Sequence, residues 1–120
     1  MNTWGVPRRW INEGLAVYAA GQWSGHDTHA LCRYLQEQGQ LPSLQDLMRR
    51  FAKLPGLVSY PAAGSFMRYL YETHGLETVK AVWRRDALDE ATGMSVEELD
   101  VAWRSVLASA DAEGITYEVN

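Results

Sequence analysis

Pro7–Ala20 reads PRRWINEGLAVYAA, and from Ile11 onward it is apolar around almost its whole circumference. Pro7 supplies a preset φ at a first-turn position, so the stretch opens like a helix. At about 100° per residue, Ile11, Leu15 and Tyr18 share one side, while Trp10, Gly14 and Val17 share another. Ala16, Ala19 and Ala20 fill most of what is left, and only Asn12 and Glu13 interrupt the pattern. A helix that is hydrophobic all round is normally buried. A carboxylate on such a helix is costly unless a cation, a metal or several donors meet it, which singles out Glu13.

Working outward, every strong signal is helical. Gly21–His26 reads as a loop from its glycines and serine. A second helix is expected from Asp27 or Thr28 to Gln38, stopped by Gly39. Ser43 is the expected N-cap of a third, with Leu44, Leu47, Met48, Phe51 and Leu54 on its apolar stripe. Tyr60-Pro61 opens a fourth, closed by Gly75, whose small residues Ala62, Ala63 and Gly64 would let another helix come close. A fifth follows from about Leu76 with Val79, Val82 and Trp83 inward, then a short turn around 86–91. Ser95-Val96-Glu97-Glu98 is a capping box before the stripe Val96, Leu99, Trp103, Val106 and Leu107. Residues 111–120 carry a weak β signal and form a tail, either docked or disordered. The expected architecture is all-α, a compact bundle of about five to six helices in one domain over residues 1–110.

With 120 residues, 47% of them hydrophobic and five of them Trp, a substantial core is available. The formal net charge of −4 gives no broad basic field for nucleic acid. Arg8-Arg9, Arg49-Arg50 and Arg84-Arg85 read as solvated helix positions, with Arg8 or Arg9 as the alternative partner of the Glu13 carboxylate if no metal meets it. Cys32 is the only cysteine, so no internal disulfide forms, and it reads as a small buried hydrophobe. No stretch of about 18 apolar residues suggests a membrane span, and no signal peptide is legible, which points to the cytoplasm by default.

The order Trp10-Ile11-Asn12-Glu13-Gly14-Leu15-Ala16 resembles the second metal-binding helix of the gluzincin (peptidase MA-like) zinc metallopeptidases, which reads roughly W-L-N-E-G-x-A. Three further stretches are similar to that family in the same order. Leu35–Phe51 is similar to its L…G.LP.L.DL…F segment, Tyr60–Gly75 to its Y..AGSF..YL...YG helix, and Ser95–Leu107 to its closing S.EEL...W...L. The resemblance covers about residues 7–107 and implies a C-terminal subdomain of such an enzyme. It implies that Glu13 stands at the third zinc-ligand position and that Tyr60 matches a phenol that donates to the tetrahedral oxyanion. Asn12 is a candidate for a substrate contact or for holding the helix entry. Peptide is the substrate the family implies, and zinc the cofactor.

The chain departs from the family in one decisive respect: no HExxH occurs in it. Two His ligands and the general-base Glu are therefore missing, and only residues 1–12 precede Glu13. Val17 stands where thermolysin-like relatives carry an Asp that supports a His ligand. The isolated chain is expected to bind no zinc and to hydrolyse no peptide. His26 and His29, three residues apart, would offer a substitute site with Glu13 if both lay on one helical side. His74 reads as a helix C-terminal residue favoured by the dipole. The alternative to a peptidase part is a non-catalytic helical interaction module. Without an HExxH helix the apolar side of Pro7–Ala20 would be bare, which favours a homo-oligomer through that helix.

Overall fold

The computed structural model describes residues 9–85 and 87–119. Its elements in chain order are α1 (Arg9–Ala20), β1 (Gln22–Trp23), β2 (His26–Asp27), α2 (Thr28–Glu37), α3 (Leu44–Arg50), a 3₁₀ turn (Phe51–Lys53), α4 (Gly56–His74), α5 (Leu76–Arg85), α6 (Leu88–Thr92) and α7 (Val96–Leu107). Seven α-helices over the described residues make the fold mostly helical, as the periodicity predicts, and exceed the five to six expected because the stretch read as a short turn after α5 contains the five-residue helix α6. Pro7 and Arg8 lie outside the described residues.

The expected cap at Ser43 and the capping box at Ser95 are present, and Asp27, read as an alternative first residue of α2, is its N-cap. Asp27 accepts from the Ala30 N–H at 3.0 Å and Ser43 from the Asp46 N–H at 3.1 Å. Ser95 and Glu98 close a reciprocal capping box, so two otherwise orphaned N–H groups at the start of α7 are satisfied.

α4 is the axis of the fold. Val58, Ser59 and every residue from Pro61 to Met67 are buried. α1 lies against it at unusually short range through two glycines. A Cβ on Gly14 would meet the Ala63 carbonyl oxygen at 2.7 Å, and one on Gly64 would meet Val17 Cγ1 at 2.4 Å. Only glycine permits that approach. The small residues of α4 thus do what their size predicts, and α1 is the helix that uses them. Trp10, Ile11, Phe66, Met67, Leu99 and Trp103 build the main core around this contact. Leu31, Leu35 and Val58 form a second cluster, covered by Trp23, Tyr34, Leu41, Ile115, Tyr117 and Val119.

Several local expectations are corrected. The stretch expected as a loop contains a two-stranded hairpin, with Gln22 opposite Asp27 and Trp23 opposite His26. Ser24 and Gly25 both take positive φ, 52° and 80°, which a two-residue primed turn requires. α4 begins at Gly56, not at Tyr60, so Pro61 lies inside the helix. A proline there deprives only the carbonyl four residues back of its partner. That carbonyl, on Leu57, accepts the Tyr117 hydroxyl at 2.6 Å instead. Trp83 does not point inward. It is 47% exposed, and its indole N–H donates to Asn12 Oδ1 at 2.9 Å.

α1 is buried on one face only, at Trp10, Ile11, Gly14 and Val17. Its outer strip is Asn12, Ala16, Ala19 and Ala20, small enough to face water at little cost. Over its described residues, 111–119, the C-terminal stretch forms no strand. Its alternating residues Ile115, Tyr117 and Val119 dock on the second cluster, so the period-2 pattern serves packing without a strand partner.

Candidate functional site

Arg9 links the two residues that the resemblance marks, Glu13 on α1 and Tyr60 on α4. Its guanidinium approaches Glu13 Oε2 at 4.0 Å through Nε and donates through Nη2 to the Tyr60 hydroxyl at 3.2 Å. The Glu13 side chain is 38% exposed, so it is neither sealed in the core nor free in solvent. An exposed i,i+4 pair of this length contributes only a few tenths of a kcal/mol. Glu13 is therefore held in place chiefly by its rigid helix, which the Gly14 contact pins one residue further on.

The Tyr60 ring is fixed on two sides. Trp23 stacks on it with centroids 5.6 Å apart and planes 3° from parallel, and Phe51 meets it edge-on at 5.3 Å. Arg9 also lies over the Phe51 ring, 5.8 Å from its centroid. Asn12 sits elsewhere: its side chain ties α1 to α5 through Trp83, which is a helix-packing contact.

The remaining histidines do not join Glu13. His26 lies on β2 with its ring edge-on to Tyr117, His29 lies in α2, and His74 ends α4 within 3.2 Å of the Tyr69 hydroxyl. Among the described residues, no three His, Cys, Asp or Glu side chains gather as a metal site requires. The residues present do not by themselves fit a catalytic zinc, because Glu13 is a single donor with a cation beside it.

Sequence reading missed a buried polar cluster. His29 Nδ1 and Ser65 Oγ share a hydrogen bond at 2.7 Å, and the Trp103 indole N–H donates to the same oxygen at 3.0 Å. The trio clamps α2, α4 and α7 together. Burial, followed by the Arg68 guanidinium, pushes the His29 imidazole down to about 4, so it is neutral near neutral pH. Nearby, Arg68 bridges Asp27 at 2.8 Å and Glu72 at 3.3 Å. Burial alone would raise the Asp27 carboxyl. The Ala30 N–H and Arg68 outweigh it and hold that group below its ordinary value.

Ser65 and His29 together look like the core of a nucleophilic dyad, but Ser65 is fully buried and no substrate reaches it. Cys32 is equally inert. Its thiol donates to the Pro61 carbonyl at 3.4 Å, and burial pushes it up to about 12.

No protein-family model matches the chain, and no curated protein and no solved structure matches it either. Among the described residues, no helix is long and apolar enough to cross a membrane.

Proposed function

We propose that this chain is the C-terminal helical part of a gluzincin-like zinc metallopeptidase, inactive by itself. One observation carries the reading: Glu13 and Tyr60, 47 positions apart, are both contacted by the Arg9 guanidinium. Those are the two positions that the family resemblance marks as zinc ligand and oxyanion donor. In a complete enzyme of this class, a bound zinc would supply an activated water. This chain would contribute one carboxylate ligand on a rigid helix and one phenol for the developing negative charge.

Two experiments test the reading. The first is to read the coding frame upstream of Met1, where an in-frame HExxH about twenty residues before Glu13 is expected. Its absence would remove the peptidase reading. The second is an assay of the purified chain with a broad peptide substrate and added zinc, expected to show no turnover. Hydrolysis well above background, abolished by Glu13→Gln, would refute the inactivity.

A second reading, a helical module that self-associates through α1, draws on the exposed alanines of that helix and on Trp83 beside them, 47% exposed. It predicts a dimer by light scattering at high concentration; a clean monomer would exclude it.

A further inference from the structure

We propose that Tyr117, close to the C-terminal end of the described chain, is the positioning residue for the Tyr60 phenol and acts through Trp23. The role of Tyr60 rests on the reading above, but the relay is a property of this chain and is tested without it.

The relay starts at a gap in a helix. Pro61 has no N–H to give the Leu57 carbonyl, so that oxygen is open to an outside donor. The Tyr117 hydroxyl donates to it at 2.6 Å. With its proton committed there, the same oxygen accepts the Trp23 indole N–H at 2.9 Å. Each hydroxyl has one proton to give and lone pairs to receive, so the two bonds are mutually consistent and fix the direction of both rings.

Trp23 then lies flat on Tyr60, with Phe51 edge-on to the same ring. Stacked and edge-to-face pairs of this kind have defined orientations. The Tyr60 hydroxyl is left pointing at Arg9. Docking of Ile115, Tyr117 and Val119 on Leu31, Leu35 and Val58 brings Tyr117 to the hairpin, and His26 supports its ring edge-on at 6.2 Å. β1 itself is only two residues long, too short for backbone pairing to fix an indole.

The test is Tyr117→Phe, which keeps the ring and removes only the hydroxyl. The readout is the proton NMR spectrum of the tyrosine rings. In the wild-type chain, the stacked indole gives the Tyr60 ring protons an upfield ring-current shift. Tyr117→Phe is expected to reduce that shift and to expose the Trp23 indole N–H to solvent exchange. Tyr69, which packs on Phe66 and His74, serves as the reference and is expected not to move. In a Trp23→Phe background, which retains a ring against Tyr60 but has no N–H to give, Tyr117→Phe should leave the Tyr60 resonances unchanged.

Unchanged Tyr60 resonances in the single variant would overturn the proposal. So would equal movement of Tyr60 and Tyr69, which would mean general loosening. Neither outcome bears on whether the chain descends from a peptidase, and an upstream frame without HExxH would leave the relay intact.

Discussion

Replacing Gly64 with alanine probes the close contact between α1, which carries Glu13, and α4, which carries Tyr60. The added carbon would lie 2.4 Å from Val17 Cγ1 and 2.8 Å from Val17 Cβ. Carbon atoms prefer about 3.5–4.0 Å, so the helices must part by about 1 Å or Val17 must leave its rotamer. Overpacking of this kind costs about 1–3 kcal/mol, against about 0.5–1 kcal/mol gained from replacing glycine in a helix. The difference spans about 0–2.5 kcal/mol, and because the clash is with the stiff branched Cβ of buried Val17 a loss in the upper half of that range is expected, read by urea unfolding followed by circular dichroism. Val17→Ala alone should cost about 2 kcal/mol, because Val17 is buried. The double variant should be more stable than the sum of the two losses by at least about 1 kcal/mol, since the new methyl fills the space the valine vacates. A Gly64→Ala chain as stable as the wild type, or strictly additive losses, would refute the close-contact argument.

Acid should destabilise the fold early. The unfolded His29 takes up a proton near pH 6.5 and the folded one only near 4, so stability falls as pH drops through that window, by up to about 3 kcal/mol. Thermal melts across this range should show the loss, and His29→Gln should flatten it. Asp27, held below its ordinary value, adds a further loss at lower pH as its carboxylate is protonated. Cys32 should resist alkylation at pH 8 in the folded chain and react once urea unfolds it; rapid labelling of native protein would contradict its burial. Ser95→Ala should cost about 1 kcal/mol by chemical denaturation, because it opens the capping box of α7.

How far the sequence is legible depends on the range of each interaction. Asp27, Ser43 and Ser95 cap helices through contacts three residues away, so they can be read locally, as can the stops at Gly39 and Gly75. The hairpin has only two residues in each strand, too few for alternation to show. Pro61 reads as a helix start because local rules cannot see Tyr117 supplying the missing donor. Trp83 reads as inward from its spacing, yet Asn12 gives its N–H a partner at the surface.

At the candidate site, Glu13 and Tyr60 can be picked out by residue type and resemblance. Arg9 can be read as a partner of Glu13, four positions away, but not as a partner of Tyr60, because that bond spans 51 positions. The same holds for the His29–Ser65–Trp103 clamp, whose members stand 36 and 38 positions apart. No one-dimensional period links them.

The measurement closest to the central claim is the zinc content of the polypeptide translated from the full coding frame, upstream residues included, for wild type and for Glu13→Gln. One zinc per chain in the wild type, lost in the Gln variant with the helical circular dichroism intact, is the expected result. A frame whose product carries no zinc, or carries as much zinc without the Glu13 carboxylate as with it, would contradict the account.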